Sequence, residues 1–496
     1  MLRWQAMRRL PALLLLAASG CAQLFGIDDT TGPNVDPARV SLTMERWSIG
    51  AAVSKNPLDM SMQSADFLLD DGTGNFMKLA GELTSSATFS ALLPTGSPPV
   101  LFSLPDLGPR FERLWATPAR DRRGIFGVFE HPNPEAALPN SQLMLTIALP
   151  SMYASNESFR IEAIGAWMAR GLAGAELPAP DVGNMTIAPP ALAYSSFGRL
   201  TGSPAARITS QDVVVVERYV GNQLTGVYQV PPFDQTDGTD PINANLVAVP
   251  ANKPLSAMVM PTTYAQRYSA VRPAVGTLGQ AWYVNAAPGW SLGSNTGPRL
   301  HAGGVAMTDT MITTMFGNPF ESLNWRSLIQ FVTAETRSYT FMGMAMTLSA
   351  QMYTVTEATG TLTFDMPAGL PINIRANQVP LSTDGMSVTL DLSKPVEVDA
   401  ITDNPKATVY FVSLYEVALS SDGMTVERKL VVDATITGEP KFKLPQDLFV
   451  PGHYYYFDFR CMLGGYMNAV MGDFQTFMLP YSVSRADSAV FQVVMQ

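Results

Sequence analysis

The sequence predicts a mostly β, multidomain β-sandwich protein with one or two short helices in its middle domain. Three observations lead to this class. Short runs of β-prone residues are repeatedly broken by Gly, Pro, Asp and Asn, as in sandwiches and barrels. The 496 residues include 38 Gly and 38 Pro, and only 15% are charged, which favours a turn-rich folded chain over a coiled coil or bulk disorder. Helix start signals are few.

The first twenty residues form a secretory signal. Arg3, Arg8 and Arg9 provide a positively charged start, and the apolar run from Leu10 to Ala18 follows. This run is too short to span a bilayer, which takes about 20 apolar residues. We therefore expect residues 1–20 to direct export and to be removed.

The signal ends in Ala18-Ser19-Gly20-Cys21, which resembles the lipobox of bacterial lipoproteins. The resemblance implies cleavage before Cys21 and attachment of acyl chains such as palmitate at that cysteine. Several acyl chains anchor a protein stably where one does not. Ala22 follows, without the Asp that in some Gram-negative bacteria signals inner-membrane retention. The resemblance therefore implies an outer membrane location, facing the periplasm or the exterior, with the membrane as a partner.

Removal of residues 1–20 reduces the basic residues from 32 to 29 against 42 acidic ones, which gives the mature chain a net charge of −13. This charge argues against binding to nucleic acid, which needs a basic surface. Residues 21–38 have no apolar period, and we interpret them as a flexible tether. A coil of this length has an average reach of about 20–25 Å.

Two proline clusters divide the remaining chain into three predicted domains. Residues 39–185 form a β-rich domain, residues 186–366 a β-rich middle domain, and residues 367–496 a C-terminal β-sandwich. The clearest predicted strands are Gln142–Leu149, Asp212–Tyr219, Leu246–Val249, Thr361–Phe364, Ser387–Leu392, Thr408–Val417, Lys429–Ile436 and Tyr454–Cys461.

Helix signals are strongest in the middle domain. Asn318, Pro319 and Glu321 are typical of an N-cap, a first-turn proline and an acidic third position, so we predict a helix near residues 319–332. The stretch Phe159–Leu172 fits both the alternation of a strand and the spacing of a helix, and both assignments stay open.

The segment Phe449-Val450-Pro451-Gly452-His453-Tyr454-Tyr455 resembles the approach to the sixth strand of fibronectin type III and other immunoglobulin-like domains. The resemblance implies a tyrosine whose hydroxyl hydrogen-bonds back to the preceding backbone. Alternation along the strand places Tyr455, Phe457, Phe459 and Cys461 on one, inward face. The predicted second strand lacks the core tryptophan of the family.

Motifs that would predict catalysis are weak. The pattern Gly289-Trp290-Ser291-Leu292-Gly293 matches a nucleophile elbow, but Gly and Pro follow where the fold needs a helix. The three histidines are far apart in sequence, so the usual zinc site is not predicted. Paired carboxylates for glycan hydrolysis have no local motif.

Two local features predict ligand binding. Asp234, Asp237 and Asp240 place three carboxylates around a glycine, and such hard oxygen ligands suit calcium. No other cofactor is predicted. Trp290 offers an aromatic surface on which a sugar ring could stack.

The sequence therefore predicts a lipid-anchored envelope protein with a non-catalytic binding or structural role, and an envelope protein as its partner. The alternative is a polysaccharide-binding protein, or a glycan hydrolase, tethered at the surface.

Overall fold

The computed structural model describes residues 39–494, with gaps at 50–52, 71–75, 94–99, 106–111, 117–119, 129–130, 132–134, 172–181, 190, 195–196, 198–204, 272–276, 289–296, 305–307, 365–367, 369, 382–389, 391–394, 404–406 and 476. The described residues form strands arranged in sandwiches, with one α-helix, and this confirms the predicted fold class. Four large apolar cores divide this part of the chain into four sandwiches.

The first sandwich lies N-terminal. One sheet has the order β2-β1-β6-β5, with β9 parallel to β1, and it faces β3, which pairs with β4 and β7. Leu42, Phe67 and Phe89 fill the space between the sheets. The strands are β1 (Arg39–Ile49), β2 (Val53–Pro57), β3 (Asp66–Asp70), β4 (Phe76–Ala80), β5 (Glu82–Ser85), β6 (Thr88–Leu92), β7 (Val100–Pro105), β8 (Glu112–Ala116) and β9 (Asp121–Val128).

The second sandwich spans the domain boundary that the sequence predicted at residue 186. Strands before and after residue 186 share one core, so the predicted boundary is wrong. In one sheet β10 runs parallel to β17, and in the other β11 pairs with β12 and β15. The ambiguous stretch Phe159–Leu172 contributes the hairpin of β11 and β12. The strands are β10 (Gln142–Ala148), β11 (Glu157–Ile164), β12 (Trp167–Gly171), β13 (Thr186–Ile187), β14 (Leu192–Ala193), β15 (Val213–Val220), β16 (Gln223–Gln229), β17 (Thr239–Asn245) and β18 (Val247–Ala248).

The third sandwich packs the small sheet β22-β19-β25 and a helix against the long strands β20, β23 and β24. Leu255, Phe331 and Met352 are fully buried between them. Its elements are β19 (Lys253–Val259), α1 (Pro261–Val271), β20 (Thr277–Pro288), β21 (Arg299–Gly304), β22 (Thr310–Phe316), β23 (Trp325–Phe341), β24 (Met344–Glu357) and β25 (Thr361–Thr363).

The prediction of a helix near residues 319–332 is wrong. Asn318 does accept a hydrogen bond from the amide of Phe320 at 3.0 Å, as a capping residue would. The turn it begins is a 3-10 helix of only three residues, Glu321–Leu323, and Asn324 then adopts a left-handed conformation with φ 59°. The chain continues as the seventeen-residue strand β23, because β20 and β24 pair with it on its two edges.

The α-helix lies elsewhere, at α1, where the sequence analysis predicted none. Pro261 occupies the first position of the helix, where proline is favoured, and this residue is the sequence signal for the start of the helix. The buried Tyr264 donates a hydrogen bond of 2.6 Å to the carbonyl oxygen of Phe364. This contact fixes the helix against the third core.

The C-terminal sandwich packs the sheet β27-β26-β28-β31 against β30, β29, β32 and β33. It begins at Pro371, inside the predicted domain 367–496. Most of the predicted strand Ser387–Leu392 lies outside the described residues. The strands are β26 (Pro371–Ala376), β27 (Val379–Pro380), β28 (Val396–Thr402), β29 (Val409–Leu419), β30 (Val426–Ile436), β31 (Lys441–Leu444), β32 (Tyr454–Gly465), β33 (Met478–Asp487) and β34 (Phe491–Gln492).

The inward stripe predicted for β32 is present. Tyr455, Phe457, Phe459 and Cys461 are all 1% exposed or less and belong to the same core. The amide of Val450 donates a hydrogen bond of 2.8 Å to the hydroxyl oxygen of Tyr455, which is the backbone contact that the sequence resemblance implied. This contact fixes the chain where it enters β32.

Strand pairing connects the sandwiches to one another. β16 pairs with β21 at Gln223 and His301, β24 pairs with β33 over six residue pairs, and β8 pairs with β30 in parallel. One sheet of eighteen strands therefore runs through the described part of the chain. The pairing of β24 with β33 also brings the third and fourth sandwiches together along a groove.

Candidate functional site

A groove of about 600 Å³ lies between the third and the C-terminal sandwich. One wall comes from β20, β23, β24, β25 and the turn between the last two strands, and the other from Phe477 and the first residues of β33. The residues lining it are Ala287, Arg326, Leu328, Thr356, Glu357, Thr359, Leu362, Phe477, Met478, Leu479 and Pro480. We refer to these residues as the groove.

The alternation of side chains along the strands explains why a polar pair lies on one wall of the groove. Arg326 and Leu328 are two residues apart on β23, so they share a face, and Ala287 pairs with Arg326 from β20. Arg326 Nη1 donates a hydrogen bond of 2.7 Å to Glu357 Oε1, and their side chains are 57% and 44% exposed. This ion pair is therefore open to solvent and to a ligand, whereas Leu328 and Ala287 close the floor.

The apolar wall is held by aromatic packing. The ring of Phe477 lies 5.0 Å from the ring of Tyr466 and 5.0 Å from that of Tyr481, both nearly perpendicular to it. Gly465 makes this packing possible, because a Cβ there would lie 2.9 Å from the Phe477 ring and its φ is +70°. Phe477 is therefore fixed in position at the edge of the groove.

The chemistry of the groove suits binding. Glu357 is the single carboxylate and Arg326 the single base among the described residues that line it. Thr356 and Thr359 add hydroxyl groups beside the apolar side chains of Phe477 and Leu479. Such a mixture of a few polar groups and apolar surface is typical of ligand sites.

The predicted calcium ligands lie elsewhere, in the second sandwich. Asp240 Oδ1 accepts a hydrogen bond of 2.6 Å from the Thr236 hydroxyl, and Asp234 Oδ1 accepts one of 2.9 Å from the Ser210 amide. Asp237 is exposed, whereas Asp240 is buried. Throughout the described ranges, no three acidic, histidine or cysteine side chains are grouped as metal ligands. The structure therefore does not bring these three carboxylates together.

Asp234 and Asp240 do line a smaller cavity of about 360 Å³, together with Tyr228 and Phe233. Both carboxylates are already used as hydrogen-bond acceptors, Asp240 within its own loop and Asp234 by Ser210 of the loop that precedes β15. We interpret their role as fixing these loops.

Two other predicted site residues, Cys21 and Trp290, lie outside the described residues. The weak elbow motif around Trp290 lies there as well.

Sequence analysis did not identify a pair of buried acids in the second sandwich. Burial, together with the charge of Glu217, raises the pKa of Glu162 to about 8, and burial raises that of Glu217 to about 7. Tyr219 donates a hydrogen bond of 2.9 Å to Glu217 Oε2. The sequence does show one glutamate in each of two apolar strands. It does not show that these strands pair, or in which register, so the two acids could not be placed side by side. Glu217 is fully buried, so the pair is closed to a substrate.

A second charged cluster lies on the C-terminal sheet. Asp458 accepts hydrogen bonds from Arg460 and lies 3.3 Å from Arg485, while Asp487 accepts the amide of Ser349 at 2.7 Å. Asp458 and Asp487 face each other across β32 and β33, and burial raises the pKa of Asp487. The cluster ties β24 to the C-terminal sandwich, which makes it structural.

Comparisons with known proteins do not assign a family to the chain. No family model matches it, and no curated protein matches it. Two solved structures aligned with it contain the N-terminal four Ig domains of Dscam1, one of isoform 4.44 and one of isoform 9.44 with zinc. The alignments cover 92% of this chain and 98% and 99% of those chains, at 8% and 9% identity and TM-scores of 0.12 and 0.11. Similarity at this level carries no argument about fold or function.

The described residues also contain no helix with the length and apolar character that a membrane span requires.

Proposed function

We propose that this chain is a lipid-anchored protein of the Gram-negative outer membrane that binds a partner and catalyses no reaction. The anchoring part of the proposal is supported by the arginines of residues 1–20, the apolar run after them and the lipobox-like Ala18-Ser19-Gly20-Cys21. Acylation at Cys21 would hold the sandwiches at the membrane surface.

The groove is the observation that carries the binding role. Its two walls belong to different sandwiches, and the six residue pairs between β24 and β33 hold those sandwiches together. A site formed in this way needs little rearrangement on binding, which lowers the entropic cost of association.

The same groove argues against hydrolysis. Glycoside hydrolysis uses two carboxylates that flank the bond to be cleaved, and Glu357 is the single carboxylate among the groove residues described. The acids with raised pKa values, Glu162 and Glu217, are enclosed in another sandwich.

We assign the C-terminal sandwich to the immunoglobulin-like class, with fibronectin type III as its nearest type. Two observations support the assignment: the division of its strands between two facing sheets and the hydrogen bond between Val450 and Tyr455. Domains of this class commonly bind through loops at the ends of the sandwich, and Phe477 leads into β33 from such a loop.

The partner that best fits the groove is an extended segment of another envelope protein. Leu362, Leu479 and Pro480 offer apolar contacts, and the Arg326–Glu357 pair offers one charge of each sign. A polysaccharide is the second candidate, because the threonine hydroxyls and the Phe477 ring are groups that sugars contact. If the ligand is a sugar, adding it should raise the melting temperature of the protein. If the partner is a protein, added sugars should leave the melting temperature unchanged.

Affinity isolation of the acylated full chain from its native membranes tests the proposal. Thr359→Arg fills part of the groove, and Thr425→Arg is the matched control on an exposed turn of the C-terminal sandwich. We expect Thr359→Arg to reduce the recovered partner about tenfold, equivalent to about 1.4 kcal/mol of binding, and Thr425→Arg to leave it unchanged. Equal recovery with both variants would contradict binding in the groove.

A further inference from the structure

An exposed apolar surface lies on the loop that connects β32 to β33. Met467, Val470 and Met471 are 57%, 52% and 70% exposed, and we call these three residues the methionine patch. The loop itself is well anchored, because Tyr466, Ala469 and Phe474 are buried in a core cluster beneath it. The patch is therefore held outward by the fold.

We propose that the methionine patch inserts into the surface of the lipid bilayer to which the chain is anchored. This inference rests on the proposed lipid anchor. The occupant we assign is a phospholipid membrane, and a protein covering the same surface is the alternative outcome of the test below.

The position of the patch relative to the first strand supports a membrane contact. The Arg123 amide donates to the Gly472 carbonyl oxygen at 2.8 Å, and the Phe474 amide donates to the Arg123 carbonyl oxygen at 2.9 Å. The loop thus lies along β9, which pairs with β1 through Arg123 and Thr43. One strand, β9, therefore separates the loop that carries the patch from β1, the strand at which the described chain begins.

The length of chain between that strand and the lipid also fits. Arg39 precedes Thr43 by four residues, which is about 13 Å along a strand. Residues 22–38 connect Arg39 to Cys21 and span at most about 60 Å when fully extended. A tether of this length lets the edge of the protein that carries the patch reach the membrane when Cys21 is acylated.

Charge around the patch suits phospholipid headgroups, which carry groups of both signs. Arg120, just before β9, and Arg123, on β9, are exposed. Asp121 and Asp473 lie near them and accept hydrogen bonds from neutral donors, the Ser41 hydroxyl at 2.6 Å and the Gln475 amide at 2.8 Å, so their carboxylates keep their charge. Apolar side chains beside arginines are the usual composition of an interfacial contact. Because the mature chain is acidic overall, headgroup repulsion confines the contact to this edge.

Two cysteine variants of the full chain test the inference. Met471→Cys places a fluorescent label on the patch, and Met424→Cys is the control, because Met424 is 67% exposed at the opposite end of the sandwich. Cys461 is buried, and burial raises the pKa of its thiol, so it stays unlabelled. The acylated proteins are reconstituted into phosphatidylethanolamine and phosphatidylglycerol vesicles that contain a nitroxide-bearing lipid.

We expect the nitroxide lipid to quench about half of the fluorescence at position 471 and almost none at 424, because interfacial side chains lie within reach of the acyl chains. Equal quenching of both labels by aqueous iodide, with none by the nitroxide lipid, would overturn the inference. Shielding of position 471 from iodide only in native membranes would overturn it too, and would assign the patch to a protein.

Flotation of the same vesicles separates this inference from the proposed anchor. Protein that floats with the lipid but shows no quenching at 471 retains the anchor and loses the membrane contact. Protein that does not float loses the anchor itself.

Discussion

The amide of Val450 donates its hydrogen bond to the hydroxyl oxygen of Tyr455 across a distance of 2.8 Å, at the point where the chain enters β32. The Tyr455 ring packs between Phe449 and Phe491 in the same core. One side chain thus fixes the turn before the strand and also fills the space between the two sheets.

Replacement of Tyr455 by Phe removes this hydrogen bond and keeps the ring. We expect the free energy of unfolding to fall by about 1 kcal/mol, the usual net value of one hydrogen bond, measured as a lower urea midpoint. Tyr454→Phe is the control, because its ring lies on the opposite face of β32. Equal shifts for both variants would show that the Val450 contact contributes nothing.

The buried acids of the second sandwich predict a pH-dependent stability. The pKa values of Glu162 and Glu217, about 8 and about 7, lie above the ordinary value of 4.5 that applies when the chain is unfolded. Between pH 4.5 and 8 the folded state therefore holds more protons than the unfolded state. Stability should fall as the pH rises through this range, by up to about 1.4 kcal/mol per pH unit for each group.

Urea unfolding at several pH values between 5 and 8 measures this effect. Glu162→Gln should make the stability less dependent on pH, because the amide carries no charge at any pH. Glu135→Gln, which changes an exposed side chain, should leave the dependence unchanged. A stability that rises with pH in this range would contradict the assignment.

Two ion pairs of the same type should differ strongly in their contribution to stability. Arg218 binds Glu157 through Nε at 2.9 Å, and both side chains are about 5% exposed or less. Glu157→Ala leaves a buried guanidinium without its counter-ion, although its bonds to Ser151 and to the Met152 carbonyl oxygen remain, and we expect a loss of about 3–5 kcal/mol. Glu357→Ala breaks the exposed pair with Arg326 and should cost at most about 1 kcal/mol. The difference between the two urea midpoints checks the prediction, and similar losses would contradict it.

The lipid anchor makes a separate prediction. Cys21→Ala removes the thiol that would accept the lipid, so the variant should stay unacylated and leave the membrane fraction on mild washing. Mass spectrometry of the N-terminal peptide and fractionation measure the two effects. Retention of the unacylated variant in the washed membranes would show that another feature holds the protein there.

The class of fold was predictable because alternation and turn residues are local signals. The inward stripe of β32 and the Tyr455 contact follow from the same alternation together with one short motif. The prediction of a helix near residues 319–332 is wrong because strand pairing with distant segments is not a local signal. Asn318 does cap a turn, but pairing of β23 with β20 and β24 decides the structure that follows.

The boundary at residue 186 and the groove depend on contacts between distant segments. β10 pairs with β17 across about ninety residues of sequence, so a proline cluster between them does not end a domain. The groove joins Ala287, Glu357 and Pro480 from different sandwiches. These residues are ordinary one by one, and a single sequence gives no signal that they meet.

Site-specific photo-crosslinking from the groove tests the account most directly. A photoreactive amino acid replaces Thr359 in the groove or, as the control, Met424, which is also exposed, and the acylated proteins are irradiated in their native membranes. The account predicts a discrete covalent adduct with one envelope protein from position 359 and none from position 424. Adducts that are the same from both positions, or absent from both, would contradict a binding function for the groove.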